Sequence, residues 1–145
     1  MQTQSGPVRP KAYWVVAFLA LVWNLVGLAM FYAQMTLEPS RLAALTEAER
    51  QVYLATPTWV NIAFGIAVAG GVLGALGLLL RRRWAVAMFG ISLLAILVQF
   101  LGAYLSTPAW QAFGAAGLLM PVLLLVIAGF LWSYARRCAV RGWLR

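Results

Sequence analysis

The sequence predicts an all-α integral membrane protein, a single transmembrane domain of four helices that run up, down, up and down with both chain ends in the cytoplasm. Three observations support this class. Of the 145 residues, 64% are hydrophobic and only 10% are charged, whereas charged residues make up about a quarter of a soluble domain. Four apolar stretches approach or exceed the roughly 20 residues that cross a bilayer. The basic residues gather outside these stretches.

The first predicted span covers residues 13–35, after a polar segment of 11 residues that we expect to be disordered. Its apolar run is longer than the core of a signal peptide, and no cleavage pattern follows it. We therefore expect this segment to remain in the protein as a membrane helix.

A long loop is predicted at residues 36–57, and it carries every acid of the chain: Glu38, Glu47 and Glu49. Thr46 and Glu49 have the spacing of a capping box, which predicts a helix start at this point. The apolar residues around them favour short helices that lie on the membrane surface. Pro57 ends the segment, because the residue before a proline disfavours the helical conformation.

Three consecutive arginines, Arg81, Arg82 and Arg83, separate spans two and three, which are predicted at residues 58–80 and 84–106. Each arginine would cost about 2.5–3.5 kcal/mol at the centre of a bilayer. The turn must therefore lie at a membrane face. These three residues determine the topology, because one helix reaches that face and the next one leaves it.

The fourth span is predicted at residues 110–135 and contains Pro121, which should kink or locally open the helix. The tail that follows is basic, with Trp143 and Leu144 expected to anchor it to the membrane surface. The lone Cys138 cannot form a disulfide within the chain. We favour a bystander role for this cysteine over palmitoylation.

The basic residues predict the orientation. Nine of the eleven lysines and arginines fall in the N-terminal segment, the arginine turn and the tail, while Arg41 and Arg50 fall in the long loop. The positive-inside rule places the basic side in the cytoplasm and the acidic loop outside. The net charge of +8 is therefore a topology signal, and we expect no binding to nucleic acid.

Small residues should bring the helices together, because lipid offers no hydrophobic drive for helix association. Gly70, Gly74 and Gly77 recur on one side of span two. Gly70 and Gly74 have the spacing of a dimerisation motif. They could form a homodimer face or pack against a span of the same chain, and we favour the second.

The sequence lacks the groups that most chemistry needs. It has no His and no Asp, and no charged residue falls inside a predicted span. A Ser-His-Asp triad is impossible, cysteine and histidine metal sites lack ligands, and ion-coupled carriers usually place an ionisable residue in the bilayer. We therefore expect no catalytic residue, no cofactor and no metal.

Uncharged polar residues within the spans are the remaining candidates: Asn24, Asn61, Ser92 and Gln99. They could line a polar path or make contacts between helices. We expect Asn24 to bond either to Ser92 or to a backbone carbonyl. A shallow cleft open to the outside is a further alternative, although an ordinary interfacial belt with amide bonds between helices is favoured. Its lining would come from the outer third of the spans: Gln34, Asn61, Gln99, Tyr104 and Gln111, with Trp59 and Trp110.

Several segments resemble a group of small bacterial inner-membrane proteins with four spans, often labelled automatically as sugar transporters. The similarity covers residues 14–135. It rests on WNLVG at 23–27, MTLE at 35–38, YLATPTW at 53–59, GGVLG at 70–74, LRRRWA at 80–85, and SLL at 92–94 followed by Gln99. The resemblance implies a multi-pass protein of the bacterial inner membrane. It transfers no functional residue to this chain.

Two functions follow as hypotheses. The first is a non-enzymatic accessory or interaction protein, whose partners are the lipid bilayer and either a second copy or another membrane protein. The second is an oligomeric transporter of a small uncharged solute such as a sugar, with Asn24, Ser92 and Gln99 along its path. They differ in whether Asn24 and Gln99 meet in one hydrated cavity.

Overall fold

The computed structural model describes residues 10–145, and every regular element among them is helical. Residues 1–9 of the segment predicted to be disordered lie outside the described residues. Four helical segments are long and apolar enough to cross a membrane, which confirms the all-α class and the number of candidate spans. In chain order the elements are α1 (Lys11–Met35), α2 (Pro39–Ala44), α3 (Glu47–Ala55), α4 (Thr58–Leu79), α5 (Trp84–Ser106), α6 (Ala109–Phe113), a 3-10 turn (Gly114–Leu118) and α7 (Leu119–Val140).

The long helices pack in the order in which they occur along the chain. α4 contacts both α1 and α5, and α5 also contacts α7. Half of the apolar window of α4 is buried, compared with 11% for α1 and 17% for the last span. α4 is therefore the centre of the bundle, whereas α1 and the last span turn most of their surface away from the protein.

The bundle has two ends, which we name by their sequence. The arginine end contains Arg81 to Arg83, and the loop end contains residues 36–57. Near the loop end, Gly102 of α5 lies against Val60 of α4. Near the arginine end, Gly77 of α4 lies against Ala85 of α5. α4 and α5 thus form a hairpin that the arginine turn closes.

Three glycines of α4 allow α5 to approach closely. A Cβ atom placed on Gly70 would lie 3.0 Å from the backbone oxygen of Met88. One placed on Gly74 would lie 2.7 Å from the ring of Phe89, and Gly77 leaves equally little room. Unstrained carbon contacts lie at about 3.5–4.0 Å, so a larger side chain would push the helices apart. The glycine surface of α4 is occupied by α5 of the same chain.

α7 ends in a Schellman motif at the arginine end. The N–H of Trp143 donates to the carbonyl of Cys138, and the N–H of Gly142 donates to that of Ala139. Gly142 has a φ of +76°, a conformation that costs glycine little. This motif satisfies two carbonyls of the last helical turn and reverses the direction of the chain.

α4 ends in the same motif at the same end of the bundle. The N–H of Arg82 donates to the carbonyl of Gly77, and the N–H of Arg81 donates to that of Leu78. Here the residue with positive φ is Arg81, at +60°. An arginine in this conformation is strained, because its Cβ crowds the backbone.

The reversed tail binds back to the arginine turn. The N–H of Arg83 donates to the carbonyl of Arg145, and the N–H of Arg145 donates to that of Arg81, both at 2.7 Å. Trp143 and Leu144 are 9% and 2% exposed. The prediction that these two residues anchor the tail to the membrane surface is therefore wrong, because the reversal at the end of α7 folds them into the core.

Tyr13 of α1 completes the core at the arginine end. It is fully buried, and its hydroxyl donates to the carbonyl of Leu78 in α4. Its ring meets Trp143 edge-on at 6.0 Å and lies 6.4 Å from the ring of Tyr134. Cys138 belongs to the same cluster and is also fully buried, so its thiol is not presented to a modifying enzyme.

The capping box in the long loop is confirmed. The N–H of Glu49 donates to the Thr46 hydroxyl at 3.2 Å, and the N–H of Thr46 donates to the Glu49 carboxylate at 3.0 Å. The short helices α2 and α3 occupy the loop. α3 ends at Ala55 and α4 begins at Thr58, on either side of the Thr56–Pro57 pair.

The fourth span is interrupted before Pro121 and not bent at it. A 3-10 turn separates α6 from α7, and Pro121 is the third residue of α7. Proline fits the first turn of a helix, where an N–H is not needed, but its ring clashes with the carbonyl four residues earlier. Of the two outcomes predicted for Pro121, a kink or a local opening, the structure therefore shows a local opening, which lies before the proline. α7 also continues to Val140, five residues beyond the predicted boundary.

Candidate functional site

The four polar candidates lie on two different sides of α4. Asn24 lies against Gly71 of α4, and Asn61 of α4 faces Gln34 of α1. Ser92 and Gln99 belong to the buried side of α5. The helix α4 therefore separates the α1 interface from the α5 interface, and no hydrogen bond joins the two groups among the described residues.

Asn24 fills the space that a glycine leaves. Its Nδ2 donates to the carbonyl of Ala20, one turn earlier, at 2.8 Å. A Cβ atom on Gly71 would lie 1.9 Å from its Oδ1, so the amide packs directly against the backbone of α4. Of the two partners that the sequence suggested, Asn24 uses a backbone carbonyl and not Ser92.

Ser92 forms a buried hydrogen bond between helices. Its hydroxyl donates to the carbonyl of Ala67 in α4 at 2.6 Å, and the residue is 5% exposed. Gly70 allows this approach, because a Cβ atom there would lie 3.2 Å from that of Ser92. The hydroxyl is thus used for helix association, the role that polar side chains most often have within membranes.

Gln99 differs from the other three candidates. It is 9% exposed and lies between Ala95 and Gly102 on the buried side of α5. Its amide makes no hydrogen bond to another residue within 10–145. No fully buried side-chain nitrogen or oxygen among the described residues lacks a partner, so the unpartnered amide of Gln99 reaches the accessible surface and keeps unused bonding capacity.

The loop end holds a second set of polar contacts. The Nε2 of Gln34 lies 3.4 Å from the Oδ1 of Asn61, and the hydroxyl of Tyr53 donates to the carbonyl of Gln34 at 3.4 Å. Both distances are at the long limit of a hydrogen bond. The remaining cleft candidates lie elsewhere: Tyr104 contacts the 3-10 turn at Gly117, and Gln111 is exposed. The residues of the alternative cleft are thus divided between separate contacts.

Arg50 is a structural residue that the sequence interpretation missed. Its guanidinium donates to the carbonyls of Leu42, Ala43 and Leu45, which end α2, and forms an ion pair with Glu47 at 2.9 Å. Carbonyls at the end of a helix lack partners within it. One arginine therefore joins α2 to α3. The three-residue spacing from Glu47 was the only sequence signal for this role.

The described residues contain no group of three or more His, Cys, Asp or Glu side chains that could hold a metal ion. No family model, no curated protein and no solved structure matches this chain. The four apolar helices define a membrane protein. Any narrower conclusion about function rests on the arrangement of its own side chains.

Proposed function

We propose that the chain is a non-enzymatic protein of the bacterial inner membrane with an accessory or interaction role. The observation that carries this proposal is the use of polar groups within the spans. Asn24 and Ser92 both bond to backbone carbonyls in or beside helix contacts. No charged residue lies within the central parts of the spans. Such a bundle stabilises itself and offers little for coupled transport or chemistry.

The proposed topology is up, down, up and down, with the arginine end and both chain ends in the cytoplasm. Its support is the distribution of charge, since nine of the eleven basic residues belong to the arginine end or the N-terminal segment. The loop end, with all three glutamates, would face outwards. Trp14 and Trp84, each about two-fifths exposed, would then sit in the cytoplasmic interface.

Contact surfaces for a partner would be α1, α7 and the loop end. The glycine surface of α4 already faces α5, so a homodimer would have to use another helix. α1 carries exposed aromatic residues along its length, among them Phe18 and Trp23. Lipid or a second membrane protein could cover this surface. Arg50 and the capping box hold α2 and α3 as an ordered feature beside it.

The alternative is an oligomeric transporter of a small uncharged solute such as a sugar. The observation that favours it is Gln99, whose amide reaches the accessible surface and has no hydrogen-bond partner among the described residues. An amide of this kind could bond to a hydroxyl group of a passing solute. Under this alternative, water would reach Gln99 from the loop end.

Cysteine accessibility distinguishes the two proposals. In a Cys138→Ala background, single cysteines replace Asn24, Ser92 and Gln99, and intact cells are treated with a membrane-impermeant thiol reagent. Ala48→Cys in the exposed part of α3 is the positive control. Pro10→Cys, at an exposed position just before α1 at the arginine end, is the topology control and should react only after the membrane is opened.

We expect no reaction at the three interior positions. Reaction at both Asn24→Cys and Gln99→Cys would contradict the accessory role and favour the transporter, because it would reveal a hydrated path. Reaction of Pro10→Cys in intact cells, with none at Ala48→Cys, would instead reverse the proposed orientation, and the interior positions would still decide between the two functions.

A further inference from the structure

A basic pocket lies on the last turns of α7, away from Asn24, Asn61, Ser92 and Gln99. Its volume is about 340 Å³, and it is lined by Ser133, Arg136, Arg137, Val140 and Arg141. These residues are spaced by three or four positions and therefore share one face of the helix. Three arginine side chains therefore line one open depression on the surface of this helix.

No glutamate neutralises this cluster among the described residues. The three glutamates all belong to the loop end, and the one ion pair within residues 10–145 joins Arg50 to Glu47. The side chains of Arg136, Arg137 and Arg141 donate no hydrogen bond to any other described residue. Like charges on adjacent helical turns repel each other, so an anion from outside the protein would relieve this repulsion.

Tryptophan rings support two of the three guanidinium groups. Arg136 lies 4.8 Å from the centre of the Trp132 ring, and Arg141 lies 5.1 Å from that of Trp143. Stacking occupies the flat face of a guanidinium and leaves the N–H groups in its plane available. Two parallel N–H groups of one guanidinium form a fork that matches two oxygens of a phosphate group. The donors are therefore partly oriented before an anion arrives.

The depth of the pocket indicates which phosphate it would meet. α7 is apolar from Leu119 to Leu131, and the arginines begin at Arg136, so the cluster lies where the hydrocarbon gives way to headgroups. Trp and Tyr side chains gather at this level of a membrane, and Trp132 and Tyr134 do so here. Val140 is 88% exposed beside the arginines, and its side chain could contact an acyl chain.

We propose that this pocket binds the phosphate-bearing headgroup of an anionic phospholipid. Arg136, Arg137 and Arg141 would hold the phosphate oxygens, and the Ser133 hydroxyl would add one donor. Free phosphate has the same chemistry, but a lipid presents it at the right depth and is held there by its acyl chains. The proposal is independent of the choice between accessory protein and transporter.

The test compares two variants of equal charge. The full chain, purified in a neutral detergent, is titrated with phosphatidylglycerol, phosphatidylcholine or inorganic phosphate at constant ionic strength, and bound lipid is counted by native mass spectrometry. The pocket variant is Arg136→Gln with Arg137→Gln. The control variant is Arg82→Gln with Arg83→Gln, which removes two charges from the same end of the molecule outside the pocket.

Phosphatidylglycerol should bind the unmodified chain in preference to phosphatidylcholine, and the pocket variant should bind it about tenfold more weakly, the effect of losing hydrogen bonds to a charged group. The control variant should change affinity less than about threefold, since it removes only diffuse charge. The variant Arg136→Lys with Arg137→Lys keeps the charge and removes the fork. Its affinity for phosphatidylglycerol should therefore lie between those of the unmodified chain and the glutamine variant.

Equal losses in the pocket and control variants would overturn the proposal, because diffuse charge would then explain the binding. Inorganic phosphate that competes as well as the lipid would assign the pocket to a free anion and exclude the lipid as its ligand. If the glutamine pocket variant loses helical circular dichroism, the lysine variant decides. Unchanged affinity of the lysine variant for phosphatidylglycerol would show that the planar guanidinium groups do not contribute to binding, and it would overturn the proposed site.

Discussion

The arginine end and the loop end are held together by different interactions. The largest fully buried side chains, Tyr13, Leu78, Phe89 and Cys138, all lie towards the arginine end, where the tail also bonds to the arginine turn. At the loop end, long hydrogen bonds connect half-buried amides. Regions with few buried contacts open at lower free energy than well-packed ones. The bundle therefore combines a rigid end with an adaptable one.

The close contact at Gly74 should give the largest effect. Gly74→Val would insert its side chain into the ring of Phe89 and lower the free energy of unfolding by about 3 kcal/mol. Gly65→Val, nearer the loop end, meets Phe31 at 3.1 Å and should cost about 1 kcal/mol, since that ring has room to move. Denaturant titration in mixed micelles measures both changes.

Gly129→Val is the control for these glycine variants, because a Cβ atom there meets nothing within 4 Å. It should change stability by less than about 0.5 kcal/mol. Equal costs at Gly74 and Gly65 would remove the distinction in packing between the two ends.

The buried hydroxyl of Tyr13 should contribute less. Tyr13→Phe keeps the ring packing and removes the hydrogen bond to Leu78, at a cost of about 1 kcal/mol. Tyr32→Phe is the matched control, because Tyr32 is 69% exposed, and its thermal midpoint should equal that of the unmodified chain. A Tyr13→Phe variant as stable as this control would show that the hydroxyl adds nothing to the rigid end.

The strained helix end at Arg81 should be open to improvement. Arg81→Gly relieves the positive φ and should stabilise the protein by about 1 kcal/mol. The opposite change at the equivalent position of α7, Gly142→Ala, should destabilise it by a similar amount of about 1 kcal/mol. The pair is measured by thermal unfolding in detergent. A loss of stability in Arg81→Gly would mean that the arginine side chain contributes more than its strain costs.

The amide contact at the loop end should give the smallest effect. Polar pairs between membrane helices are worth about 0.6 kcal/mol on average, and the 3.4 Å separation of Gln34 and Asn61 favours the lower part of that range. A double-mutant cycle with Gln34→Leu and Asn61→Leu measures their coupling. A coupling energy larger than the cost of Tyr13→Phe would mean that the hydrogen bonds of the loop end contribute more to stability than those of the arginine end.

The helices were predictable because apolar length and three adjacent arginines leave few alternatives. The capping box was predictable because it depends on residues three positions apart. The burial of Trp143 and Leu144 was not, since it requires a chain reversal at Gly142 and a docking surface formed by distant residues. At Pro121 the sequence predicted a kink or a local opening, but it could not tell which of the two would occur, and the opening lies in the turns before the proline.

The polar residues show the same limit within the candidate site. Their depth in the spans could be counted from the sequence, but the side of α4 that each one faces could not. Asn24 and Ser92 appear equivalent along the chain and yet belong to separate interfaces, because α4 stands between α1 and α5. The periodicity of the sequence indicates which face of a helix is buried, but it does not identify the helix that packs against that face.

The row of helices also has a consequence for biogenesis. Since α1 contacts α4, α4 contacts α5 and α5 contacts α7, each span after the first finds a main partner already in the bilayer when it leaves the ribosome. Contacts that are local along the chain form quickly, and no early span must wait with its glycine surface exposed for a distant one. The tail bonds to the arginine turn and its Trp143 ring meets Tyr13 of α1, so this junction can form only after all four of these spans have entered the bilayer.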